Sequence, residues 1–292
     1  MTITFEEVKK RQNLTLDEKI AWANNRIDEW YTAWEGNVYV SFSGGKDSTV
    51  LLDIVRKKYR DVPAVFVNTG LEFPEIVEFV KSFQNLIILK PRISFIEVLN
   101  RYGYPVISKS QACAISRYRN TKSEIQRYRR LNGWPNGKKG MISKKYQYLI
   151  DAPFKISDEC CNVMKIQPIK SYIKLSKRYG MNGSMASDSI KRACQYSKYG
   201  CNSFNTKEPI SRPLSIWTEK DIWDYIYREG IKYCGIYDLG HSRTGCVFCM
   251  FGCGMEKEPR FVKLKNTHPK LYQYCLEYLR MKEVLDYLKI PY

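Results

Sequence analysis

The sequence predicts an α/β fold, a doubly wound and mostly parallel sheet with a helical N-terminal extension and a cysteine-containing C-terminal one. Three observations carry this. Short apolar runs, "VYVSF", "AVFVNTG" and "LIILK", alternate with amphipathic helical stretches. A glycine pair joins the first run abruptly to its helix. No repeat or low-complexity tract interrupts a chain of 292 residues, which is long enough to bury a substantial core.

The elements follow in order. "TLDEKIAWANNRIDEWYTAW" reads as a helix, with Thr15 and Glu18 at capping-box spacing and its tryptophans as core staples. "VYVSF" is a strand, and Asp47 to Tyr59 a helix. "AVFVNTG" and "LIILK" are the next strands, separated by "PEIVEFVKSF", where Pro74 suits a first helical turn. "SFIEVLNRYG" is a helix ending at Gly103. Helices between short strands imply parallel βαβ units, whose ligands bind beyond the carboxyl ends of the strands. Further on, "NVMKIQPIKSYIKLSKRYG" reads as one helix, Glu219 to Arg228 as another, and Leu271–Arg280 and Met281–Leu288 as two more. Three consecutive segments result: a helical segment over 1–36, a nucleotide-binding α/β domain over 37–232 and a CxxC-bearing helical segment over 233–292.

Residues 117–148 depart from the pattern, with ten Lys/Arg, one acid and interleaved Tyr118, Tyr128, Trp134, Tyr146 and Tyr148. Asn132-Gly133 and Asn136-Gly137 mark turns in this basic insert, which spans about 117–150. Alternating cations and aromatics suit phosphate contact and base stacking; the alternative is a solvated excursion whose tyrosines pack back onto the domain. The net charge of +18 points the same way, toward nucleic acid, with solubility as the plain alternative. No apolar run is long enough to span a membrane, and "MTITFEEVKKRQNL" lacks the core of a signal peptide. A cytoplasmic location is expected, where ten cysteines serve as thiols or metal ligands.

In "SFSGGKDS" the glycines let backbone N–H groups approach an anion, and the following helix adds its dipole. Ser43 and Ser48 offer hydroxyls, and Lys46 a charge. Neither the Walker A spacing nor GxGxxG is present. The stretch resembles the PP-loop of the N-type ATP pyrophosphatases, and "VFVNTGLEFPEI", "MNGSMASDSIKR" and "RPLSIWTEKDIWDYI" resemble the phosphoadenylyl-sulfate (PAPS) reductase branch. The resemblance covers about residues 38–255 and implies an adenine nucleotide alpha hydrolase-like fold. It implies that Ser43, Gly44, Gly45, Lys46, Asp47 and Ser48 bind the phosphates of ATP or a related adenine nucleotide with Mg²⁺. The backbone of Phe66 and Val67 would contact adenine. Lys46, Asp47, Asp188 and Arg192 would act in catalysis, although Asp188 stands where the branch has glutamate and Asn68 where it often has aspartate.

Adjacent Cys160-Cys161 and Cys246-x-x-Cys249 match the pattern that holds a [4Fe-4S] cluster in adenylyl-sulfate reductases and in DNA phosphorothioation sulfurtransferases. Neighbouring side chains diverge, so both sulfurs of a CC pair reach one small ion only with strain, whereas four irons give each its own target. The CxxC turn suits zinc equally, which keeps zinc as the second choice. Lys165 and Arg243 are near in sequence to offset the negative charge, and Cys253 reads as packed.

Three reactions are open. The first splits ATP between its α and β phosphates, adenylates an oxygen and lets sulfur displace AMP, with DNA or tRNA as acceptor and a sulfur-donor protein as a further partner. The second is a sulfonucleotide reductase. Those enzymes use a cysteine in an ECG[IL]H tail, whereas this sequence closes with "LDYLKIPY", so the reductase ranks behind. The third is a non-catalytic nucleotide sensor that binds nucleic acid. The acceptor, the sulfur donor and the oligomeric state are not encoded in any motif.

Overall fold

The computed structural model describes residues 3–135 and 137–292, so Asn136 of the second expected turn lies outside the described residues. The chain forms two compact units: residues 1–68, 73–89 and 169–244 make the first, and 69–72, 90–168 and 245–292 the second. These units interleave along the chain, whereas the segments expected from sequence run consecutively.

The strands are β1 (Val38–Ser41), β2 (Ala64–Val67), β3 (Leu86–Leu89), β4 (Val106–Ile107), β5 (Tyr179–Met181), β6 (Asn202–Ser203), β7 (Ile210–Ser211) and β8 (Met250–Phe251). In the first unit, six of them form one sheet of order β3-β2-β1-β5-β7-β6, parallel throughout except for the antiparallel β6 edge. The mostly parallel sheet with flanking helices is the predicted class. β1 reads "VYV" with all three residues buried, as a central strand covered on both faces requires. Tyr39 and Val65 pack with Tyr172, Ile169 and Ile173 of the helix Gln167–Ser176.

From β1 the chain steps outward to β2 and β3, then returns to β1's other side with β5 and β7. The direction reverses between β1 and β5, so a crevice opens beyond their carboxyl ends. The glycine turn follows β1, and the loop 182–189 follows β5.

The capping box at Thr15 and Glu18 opens the helix Leu16–Ala33. Trp30 is fully buried there and packs on Phe204 at 5.0 Å, while Trp34 stacks on Tyr179. Lys19, only 2% exposed, pairs with Asp221 at 2.7 Å and ties this helix to Glu219–Glu229.

Two expectations need correction. Residues 162–180 are not one helix: a π turn over Asn162–Ile166 precedes the α-helix Gln167–Ser176, and Tyr179–Met181 is β5. Pro168 cannot donate to an i−4 carbonyl, and Lys177 takes a left-handed φ of 56° that stops the helix. Gly180 pairs with Tyr39 and Ile210 in the sheet, and glycine is needed there because a Cβ would sit 2.8 Å from the Tyr39 hydroxyl. The C-terminal stretch holds three helices rather than two, Arg260–Thr267, Pro269–Glu277 and Met281–Leu288; Pro269 starts the second, and Arg280 at φ 52° separates it from the third.

The second unit contains the helices Phe95–Tyr102, Lys109–Asn120 and Glu124–Asn132, the parallel β4–β8 pair and the C-terminal helices. Among the described residues no helix is long and apolar enough to cross a membrane.

Candidate functional site

The glycine turn closes on itself. The Ser48 hydroxyl donates to the Gly45 carbonyl at 2.8 Å and accepts the Ser43 N–H at 3.1 Å, while the Ser43 hydroxyl accepts the Gly45 N–H at 3.3 Å. Gly44 has φ 73°, and a Cβ there would lie 2.6 Å from a Val80 methyl and 2.9 Å from one of Ile76, so only glycine fits. Gly45 is the N-cap of the helix Lys46–Lys58 and gives it no side-chain cap; the Lys46 N–H is instead taken by the Tyr237 hydroxyl at 2.9 Å.

Ser43, Gly45, Lys46, Asp47, Ser48, Asp188 and Arg192 line one cavity of about 720 Å³. Gly183, after β5, packs against the Asp47 carbonyl so closely that a Cβ would come within 2.8 Å of it. Gly44 lies beneath the turn rather than in the lining. Phe66 is buried in the sheet, and Val67 is half-buried at the end of β2; neither side chain lines the cavity.

Charge is concentrated in this cavity. The Lys46 ammonium is held by Glu219 at 3.1 Å and by the Ser242 carbonyl at 3.3 Å. Burial pushes the Asp47 carboxyl up while Lys46 pulls it back, and one Asp47 oxygen is buried with no hydrogen-bond partner. Burial lowers the Arg192 guanidinium, which pairs with Asp188 across the start of the helix Ile190–Tyr199. Asn182, Glu219, Tyr237 and Thr244 also line the cavity and were not legible as site residues. Arg243, expected beside the cysteines, instead lines this cavity, where its charge acts on Asp47.

In the second unit Cys160, Cys161, Cys246 and Cys249 line one small cavity with Lys165, Met164 and Leu71. The CxxC turn is set by the Cys249 N–H on the Cys246 carbonyl at 3.1 Å, the Val247 N–H on the Leu71 carbonyl at 2.8 Å, and the pairing of β8 with β4. The π turn begins directly after Cys161. Cys160 and Cys161 act on one another, so the Cys160 thiol is pushed up and Cys161 is pulled down, helped by Lys109 and Lys165. Burial raises Cys246 and Cys249. Among the described residues no three His, Cys, Asp or Glu are grouped to hold a metal ion. The four sulfurs that line this cavity, with Lys165 beside them, are soft donors.

Cys253, which interacts electrostatically with Cys249, donates its thiol hydrogen to the Met250 carbonyl at 2.9 Å. The His268 side chain does not cap the helix it precedes.

The basic insert divides by role. Arg119 donates to the carbonyls of Leu149, Ile150, Ala152 and Phe154. Arg130 is buried and donates to the Gly140 carbonyl at 2.8 Å. These two hold the fold. Arg117, Lys122, Arg127, Lys138, Lys139, Lys144 and Lys145 are exposed, as are Tyr128 and Tyr148.

The model of the phosphoadenosine phosphosulfate reductase domain matches residues 37–138 and 134–251. An uncharacterized protein of Methanocaldococcus jannaschii, MJ0973, is 27% identical over 95% of this chain, which spans only 57% of that protein's length. An adenosine 5'-phosphosulfate reductase of Bacillus cereus is 23% identical over 77% of this chain and 89% of its own. The crystal structure of phosphoadenylyl-sulfate reductase from Candida auris superposes with a TM-score of 0.46 at 16% identity, covering 84% of this chain and 97% of that one. With the glycine turn, the crevice beyond β1 and β5, and a family match reaching from residue 37 to 251, the chain belongs to the phosphoadenosine phosphosulfate reductase domain family.

Proposed function

We propose that this chain is an ATP pyrophosphatase-type sulfurtransferase that acts on nucleic acid. The observation that carries the reading is the uncapped helix at Gly45, opening with Lys46, Arg192 and Arg243 into one cavity of about 720 Å³, a size that suits a nucleotide. An acceptor oxygen attacks the α-phosphorus, the α–β phosphoanhydride bond breaks, and pyrophosphate leaves. Sulfur then attacks the activated carbon, the carbon–oxygen bond breaks, and AMP departs with the oxygen. The amides of Asp47 and Ser48 and the Lys46 ammonium receive the departing pyrophosphate, and its charge is met in place rather than by solvent. The Asp47 oxygen that has no hydrogen bond, 3.9 Å from the Lys46 ammonium, suits a Mg²⁺ that would neutralise further charge. Cys160, Cys161, Cys246 and Cys249 would hold a [4Fe-4S] cluster, which supplies a buried sulfur-binding centre when present.

Anaerobically purified protein given ATP, an RNA or DNA pool and a sulfide source should release AMP and pyrophosphate in equal amounts, and Lys46→Ala should slow this by about 100-fold. Release of sulfite from adenylyl or phosphoadenylyl sulfate with a thiol reductant, and no AMP from ATP, would make it a reductase instead. Neither product would leave a nucleotide sensor.

The acceptor reading rests on the exposed cations of the insert. Reversing Lys122, Arg127, Lys144 and Lys145 to Glu should weaken nucleic-acid binding and flatten its salt dependence by about 0.7–0.9 in log–log slope for each phosphate left unneutralised. Arg130→Glu should instead lower the melting temperature. An unchanged slope in the quadruple variant removes the insert from the interface.

A further inference from the structure

Part of the wall of the nucleotide cavity is the segment Tyr237–Thr244, to which the reaction above gives no task beyond the charge of Arg243. The Tyr237 hydroxyl oxygen accepts the Lys46 N–H at 2.9 Å, and Thr244 lines the same cavity. A phenol oxygen has two acceptor positions and one hydrogen to donate. With the Lys46 amide on one acceptor position, the phenolic oxygen keeps its own hydrogen to donate, and Tyr237 lines the cavity. The ring is fixed in place: Trp223 meets it edge-on at 5.4 Å, and the Lys46 ammonium lies 5.2 Å from its centroid. Thr244 is seated just above the glycine pair, since a Cβ on Gly45 would fall 2.4 Å from its hydroxyl. Between Ser242, whose carbonyl holds Lys46, and Thr244 stands Arg243, exposed and lining the same space.

We infer that Tyr237 and Arg243 are phosphate-binding residues of this cavity, the tyrosine donating its hydroxyl hydrogen and the arginine its charge to the pyrophosphate portion of the nucleotide. The inference rests on the nucleotide reading above. It assigns the phosphate tail two partners from a segment distant in sequence from the glycine turn. A donor aimed at an ionised oxygen is among the stronger hydrogen bonds, so its loss has a measurable effect on affinity.

The test is titration of wild type, Tyr237→Phe and Arg243→Gln with Mg²⁺-pyrophosphate, ATP and adenosine. Tyr237→Phe should bind pyrophosphate and ATP about tenfold more weakly, with adenosine affinity unchanged. Arg243→Gln, at an exposed position that tolerates the change, should lose a similar factor and show a shallower salt dependence. Pyrophosphate bound equally tightly by both variants overturns the assignment. Tighter binding by Tyr237→Phe also overturns it, because the hydroxyl would then be a plug on the Lys46 amide. If wild type binds neither ATP nor pyrophosphate, the nucleotide reading itself falls; if it binds both and the variants match it, only this inference does.

Discussion

Cys161→Ser and Cys246→Ser, reconstituted anaerobically with iron and sulfide, are expected to hold at least about tenfold less iron than wild type and to lose its visible charge-transfer absorption. One residue comes from the CC pair and one from the CxxC turn, yet both sulfurs face the same cavity, so removing either breaks the same donor set. A serine hydroxyl stays protonated where a thiolate ligates, and it is a hard donor in place of a soft one. Cys253→Ser should retain the iron, because that thiol is buried and turned to the Met250 carbonyl. Iron content unchanged in Cys161→Ser and Cys246→Ser would remove the cluster, and one zinc per chain in the wild type would replace it with the alternative metal.

Gly103→Ala should be the most destabilising single-methyl change in the second unit. Gly103 has φ 104°, and a Cβ there would lie 2.3 Å from the Lys155 carbonyl carbon, 2.4 Å from its oxygen and 2.6 Å from the Ile156 nitrogen. All three are backbone atoms, so no side chain can rotate out of the way. Left-handed strain of about 1–2 kcal/mol and overpacking of about 1–3 kcal/mol together suggest a loss near 3 kcal/mol. Urea denaturation should show a lower midpoint, whereas Gly254→Ala, with nothing within 4 Å of its Cβ, should be close to neutral. The clash also bears on the cysteines. The Tyr104 N–H on the Lys155 carbonyl at 2.9 Å and the Ser157 N–H on the Tyr104 carbonyl at 3.2 Å steer the chain toward Cys160. The variant should therefore retain iron less well even when folded.

Gly103 shows how far a sequence can be read. The residue is legible as a helix end, and the helix Phe95–Tyr102 does end there. The stricter reason for glycine, the approach of Lys155, depends on residues about fifty positions away and has no local signal. The glycine turn was legible because its strand, glycines and helix are contiguous. That Cys160, Cys161, Cys246 and Cys249 share one cavity was expected from the family resemblance, because spacing alone does not say which distant sulfurs meet. Tyr237 and Thr244 were not, since their role depends on a loop folding back over Lys46. Arg119 and Arg130 looked like phosphate ligands because a cation bound to carbonyls and a cation facing solvent are the same letter in a sequence.

The interleaving of the two units also bears on biosynthesis. β1, β2 and β3 emerge early, but the far edge of β1 has no neighbour until Tyr179–Met181 has been made. The ribosome must first produce most of the second unit. At roughly 5–20 residues per second the bare edge waits on the order of ten seconds. Through that interval a nascent chain offers hydrogen-bonding groups to any extended segment nearby, which makes this stage of translation the one at which the protein is most exposed to mispairing.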